Sequence, residues 1–249
     1  MAFVSAVGLS SNALSKVSDP PASLRVLFVG NSLTATNDLP AVIQALARSR
    51  GQALDYQTLA RPNYSLGDHW EKGDARDAIR KGRWDFVVLQ QGPSALEESR
   101  ELLLKHTRLF AEEIRRVGAT PALYMVWPAA SRRQDSDRVT ESYRLAAEKV
   151  AGVLVPGGEA LREAEKKAIG LPLFSADGFH PSMAGSYLVA LVFYQRLFRE
   201  SPVGLPALNL PPGEARSLQA IALEINGRFR VTEHRPQAKC VAREGWIGS

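Results

Sequence analysis

The strongest constraint on this chain is its repeated alternation of short apolar runs with longer amphipathic stretches, a pattern best accommodated by a parallel sheet covered by helices. The first run, Leu24–Val29 (LRVLFV), is stopped by Gly30 and reads as a buried strand. Asp38–Arg50 follows, with Leu39, Ile43 and Leu46 at helical spacing, Pro40 near the first turn and Gly51 just past the end. Ala53–Ala60 reads as a second strand, His69–Lys81 as one charged helix closed by Gly82, and Trp84–Gln90 (WDFVVLQ) as a third strand buried on both faces. Glu97–Val117 is helical, Pro121–Trp127 (PALYMVW) a fourth strand, Asp137–Val150 a helix and Gly152–Val155 a fifth strand. Glu159–Ala168 and the strongly apolar Met183–Arg199 complete the series as helices. The expected fold class is α/β: a three-layer α/β/α sandwich with a central parallel sheet of about five strands, right-handed crossovers and flavodoxin-like topology.

With 249 residues, 45% of them hydrophobic and 23% charged, the chain is sized for one domain. Residues 1–23 read as a flexible arm or leader remnant ended by Pro20 and Pro21, residues 24–234 as the single domain, and 235–249 as a tail. Pro202, Pro206, Pro211 and Pro212 mark a loop before a C-terminal helix at 213–225. No run of about eighteen apolar residues exists, so a soluble protein without a membrane span is expected. No Lys or Arg precedes the short apolar stretch Ala2–Leu9, which leaves cytoplasmic and exported locations both open. Lys and Arg outnumber Asp and Glu by 31 to 26 without condensing into a basic run, which argues against nucleic-acid binding. The single Cys240 excludes an intramolecular disulfide and a Cys-based zinc cluster.

In an open parallel sheet the functional crevice lies outside the carboxyl ends of the strands, so residues just past each strand carry the chemistry. Gly30-Asn31-Ser32-Leu33-Thr34 follows the first strand, where a strand-to-helix turn can expose the Ser32 hydroxyl. Far downstream, Asp177-Gly178-Phe179-His180-Pro181 leads into the last large apolar helix. Three-residue spacing lets the carboxylate fold back onto the imidazole of its own loop, fixing the tautomer and stabilising the imidazolium. A serine is a poor nucleophile without a base in hydrogen-bond reach, so Ser32 and His180 account for each other.

Together these blocks, VGNSLT (29–34) and DGFHP (177–181), resemble the GDSL/SGNH hydrolases, in particular a subgroup with a GNSL nucleophile block and a VVLQ ending on the third strand. The resemblance spans about Leu24 to Arg199 and implies an esterase fold with Ser32, Asp177 and His180 as the catalytic triad and no metal or cofactor. It also implies an oxyanion hole of the Ser N–H, a Gly N–H after the second strand and an Asn side chain after the third. Asn63 stands where that Gly is expected and tolerates left-handed backbone geometry. After the third strand stand Gln90 and Gln91, with Gln90 favoured as the donor that replaces Asn and a buried amide tying down neighbouring loops as the alternative for either, and Ser94 in the Asn position itself. Trp127, at the end of the fourth strand, is placed either in the crevice, stacked on a sugar or acyl group, or in the core. His69, next to Trp70 at a helix start, reads as a surface or capping histidine in preference to one that reaches the mouth of the site, and His106 and His234 as incidental.

The resulting expectation is a serine esterase that hydrolyses short-chain acyl esters, acetyl favoured, on a carbohydrate or small alcohol. The rivals are a lysophospholipase or thioesterase of the same fold, and a non-catalytic glycan-binding module on this scaffold.

Overall fold

The computed structural model describes residues 23–229. Residues 1–22 of the arm, the tail, His234 and Cys240 lie outside the described residues.

Strand β1 (Leu24–Gly30) carries the run that opens the series, and Val26, Leu27, Phe28 and Val29 are fully buried. Full burial of each such side chain contributes about 1.5–3 kcal/mol, which makes this an interior strand of the sheet. It is flanked by β2 (Leu54–Ala60) and β3 (Phe86–Leu89), with β4 (Thr120–Tyr124) and β5 (Val153–Val155) beyond β3. All pairings are parallel and the order is β2-β1-β3-β4-β5, the flavodoxin-like arrangement. Successive connections leave β1 in opposite directions, so a crevice opens between the carboxyl ends of β1 and β3.

Helices cover both faces. The single turn α1 (Ser32–Ala35) and α2 (Leu39–Arg48) follow β1, while α3 (Leu66–Lys72) and α4 (Asp74–Lys81) follow β2. The expected single helix at His69–Lys81 is thus two, because Gly73 turns left-handed at φ 88° and ends the first. Helices α5 (Glu97–Arg116) and α6 (Ser136–Lys149) pack with α3 and α4 on one side. On the other, α2 and α7 (Gly157–Lys166) flank α8 (Met183–Phe198), and α9 (Pro212–Arg228) packs against α7 and α8. Residues Ala184 to Tyr194 of α8 are buried without interruption, which explains why this helix is apolar all round. No described helix is long and apolar enough to cross a membrane.

Candidate active site

The turn after β1 brings the chain out of the sheet at its carboxyl edge. Asn31 is extended (φ −128°) and caps α1, its Oδ1 accepting the Leu33 N–H at 3.1 Å, which places Ser32 first in the helix. The Ser32 N–H, as a first-turn donor, has no acceptor among the described residues. Gly30 is required here: a Cβ would lie 2.4 Å from Gln90 Oε1 and 2.5 Å from Thr34 Oγ1.

The partner loop is a small hairpin closed by an isolated bridge between Phe174 and Pro181. At its tip Gly178 adopts φ 64°, where a side chain would also strike Ala130. Asp177 Oδ1 accepts the N–H groups of Phe179 (2.9 Å) and His180 (3.0 Å), while Oδ2 accepts Nδ1–H of His180 at 2.6 Å. That bond to His180, followed by the two backbone donors, holds the Asp177 carboxyl down at about 2. A carboxylate only accepts, so the neutral ring carries its proton on Nδ1 and leaves Nε2 to accept from the Ser32 hydroxyl, 2.9 Å away. Ser32, His180 and Asp177, which sequence placed at opposite ends of the chain, thus form one continuous hydrogen-bonded series with a proton acceptor aimed at a hydroxyl.

Of the two readings of Gln90, the structure matches the buried amide rather than the favoured donor. It is fully buried, its Nε2 donates to Asn31 Oδ1 (2.9 Å) and Gln91 O (2.7 Å), and its Oε1 accepts from Asn31 N–H and Thr34 Oγ1, both at 2.8 Å. Both amide hydrogens are used, so none is left for an oxyanion, and the side chain instead braces the Ser32 turn against β3. Gln91 is likewise spent: Nε2 donates to Ser94 Oγ (2.8 Å) and Ser99 O (3.4 Å), and Oε1 accepts from Leu66 N–H (3.2 Å). Trp127 is 3% exposed, and its indole N–H donates to Phe179 O at 2.8 Å, so it belongs to the core and holds the His180 loop.

Asn63 is exposed at φ 62°, the third residue of a turn closed by Tyr64 N–H to Arg61 O (3.1 Å) with Pro62 before it. Its N–H has no acceptor among the described residues.

His69 is not a surface group. It is fully buried, its Nε2 lies 2.8 Å from the Gly30 carbonyl and its ring meets Tyr64 edge-on at 5.1 Å. Burial pushes its pKa down, so the neutral ring donates to Gly30 O. Residues that the sequence did not single out complete the scaffold. Asn31 Nδ2 donates to Tyr64 O (3.1 Å), and the Tyr143 hydroxyl donates to Gln91 O (2.7 Å). The one available signal was a polar Asn31 inside the nucleophile block.

Beside the hairpin opens a cleft of about 280 Å³ whose apolar lining includes Pro93, Ala95, Leu96, Pro128, Ala129 and Phe179. Phe179 packs edge-on against the His180 ring at 5.3 Å, so the cleft adjoins the proton acceptor.

This architecture recurs in solved structures. The chain is 28% identical to a putative SGNH hydrolase from Slackia heliotrinireducens, covering 70% of this chain and 99% of that one with a TM-score of 0.60. The fold is that of the SGNH hydrolases. A DUF4886 family protein from Bacteroides uniformis is similar in fold over 86% of this chain and 98% of that one, with 19% identity and a TM-score of 0.70. A variant of an acetyl-xylooligosaccharide esterase from Geobacillus Stearmophilus matches over 71% of this chain and 95% of its own, with 16% identity and a TM-score of 0.57. In sequence, the chain matches no protein-family model and no curated protein.

Proposed function

We propose that this chain is a serine esterase that cleaves short-chain acyl esters, acetyl favoured, through an acyl-enzyme on Ser32. The observation that carries the reading is the 2.9 Å approach of His180 Nε2 to Ser32 Oγ, with Asp177 2.6 Å behind the ring. His180 takes the hydroxyl proton as Ser32 attacks the ester carbonyl, then passes it to the leaving alkoxide. Water attacks the acyl-enzyme next, with the same imidazole as base, and Ser32 leaves with its proton restored. The N–H groups of Ser32 and Asn63 are the donors proposed for the developing oxyanion, since the amides of Gln90 and Gln91 are already committed. The GNSL and VVLQ blocks support membership of the corresponding subgroup of this superfamily, and solved structures of the same fold described as lipases and carbohydrate esterases support ester chemistry.

The apolar cleft beside Phe179 favours a second reading, an esterase or thioesterase for longer acyl groups, because its 280 Å³ exceeds what an acetyl group fills. Hydrolysis of p-nitrophenyl acetate, butyrate and octanoate by wild type and Ser32→Ala separates the possibilities. Ser32-dependent turnover falling with chain length supports the short-acyl reading, and turnover rising toward octanoate supports the second. Equal background from both proteins overturns the nucleophile assignment.

A further inference from the structure

Ser32 and His180 are 148 residues apart in sequence, so their separation is set entirely by noncovalent ties between two short segments. Three consecutive carbonyls of the hairpin are each held by a different donor. Trp127 Nε1–H holds that of Phe179 (2.8 Å), the Ser175 N–H that of His180 (2.8 Å), and Asn37 Nδ2–H that of Pro181 (3.0 Å).

The Asn37 tie differs in kind from the others. Ser175 belongs to the hairpin itself and Trp127 follows β4, whereas Asn37 lies only five positions beyond Ser32, in the 3-10 turn Thr36–Asp38 after α1. Its other amide hydrogen reaches Ser186 Oγ in α8, also at 3.0 Å. Pro181 O offers lone pairs only, so the amide orientation is determined: an oxygen in the Nδ2 position would face another oxygen. The backbone bends to allow this. Asn37 and Asp38 both have positive φ, 56° and 48°, a conformation that persists only where surrounding contacts over-determine it.

Resting on the esterase reading, we infer that Asn37 is a positioning residue: it ties the segment bearing the nucleophile to the loop bearing the base and so sets the Ser32–His180 distance. The amide touches neither reacting atom. Its loss leaves Asp177 and the hairpin intact but frees Pro181 to drift from α1, lengthening the one hydrogen bond through which the proton moves.

The test uses Asn37→Gly, which keeps the left-handed backbone and deletes the amide, and Asn37→Asp, which keeps the shape but replaces the donor. Both are compared with wild type in the full-length protein. For a short-chain p-nitrophenyl ester, kcat is expected to fall by ~10²-fold, the cost of roughly 1 Å of misplacement, with KM changed less than about twofold. Independently of turnover, the far-downfield proton resonance of the His180 Nδ1–H is expected to persist while its exchange with water quickens in both variants. Wild-type kcat together with an unchanged resonance in folded Asn37→Gly overturns the inference. Absence of Ser32-dependent turnover in wild type would instead reject the esterase reading, and the proton exchange would still report whether Asn37 fixes the loop. Should Asn37→Gly fail to fold, Asn37→Asp carries the same two readouts.

Discussion

Replacing Gln90 by Leu removes a side chain that is fully buried between β3 and the Ser32 turn. The Asn31 N–H and the Thr34 hydroxyl, each 2.8 Å from Gln90 Oε1, lose that acceptor. Two other atoms keep a partner, since Asn31 Oδ1 still accepts from Leu33 N–H and Gln91 O from the Tyr143 hydroxyl. Leaving a buried donor unsatisfied costs about 1–3 kcal/mol, so the two together cost about 2–6 kcal/mol. That is a large part of a typical total of about 5–15 kcal/mol and lowers the melting temperature by on the order of 10 °C. Gln90→Glu sharpens the test, because its carboxylate would face Asn31 Oδ1 and Gln91 O where the amide donated. Burial and these acceptors raise the folded pKa of the new carboxyl above its unfolded value of about 4.3. The folded state then binds the proton more tightly, so stability is recovered below that unfolded value and lost as pH rises through the raised one. Urea unfolding followed by circular dichroism from pH 4 to 8 reads both variants. A wild-type midpoint for Gln90→Leu combined with a loss of ~10²–10³ in kcat would refute the bracing role and restore Gln90 as an oxyanion donor.

Burial of His69 depresses its pKa, so the unfolded chain binds its proton more readily; stability rises with pH up to about 6.5 and falls as pH drops below it. Urea midpoints measured from pH 5 to 7.5 are expected to show this slope, and His69→Phe to flatten it. Gly30→Ala places a methyl 2.4 Å from Gln90 Oε1 and is expected to cost about 1–3 kcal/mol, read as a lower thermal midpoint. Ala95→Trp should fill the cleft beside Phe179 and cut octanoate hydrolysis relative to acetate by roughly tenfold or more, measured as a ratio of kcat/KM values.

Much of this molecule was legible because its signals are local. LRVLFV and FVVL are largely apolar runs and read directly as buried strands, and α8 is apolar all round because it is buried all round. The positions of the Ser32 and His180 blocks were readable because an open parallel sheet gathers the segments past its strand ends into one crevice. The role of Gln90 was not, since an amide at a strand end can face a ligand or the interior, and only its four partners decide. His69 looked exposed among the charges of Asp68, Glu71 and Lys72, yet the helix turns it under Gly30. Trp127 was open between crevice and core until the carbonyl of Phe179 supplied its partner. Asn37 carries no motif at all, and its contact to Pro181 spans 144 residues, a separation that sequence periodicity cannot reach.

The most direct test of Ser32 as an activated nucleophile is covalent labelling with a fluorophosphonate, followed by intact mass and peptide mapping of wild type, Ser32→Ala and His180→Ala. The expected result is a single adduct on Ser32 in wild type, none in Ser32→Ala, and labelling slowed by ~10²–10⁴ in His180→Ala. An unlabelled wild type, or an adduct that survives in Ser32→Ala, would contradict it.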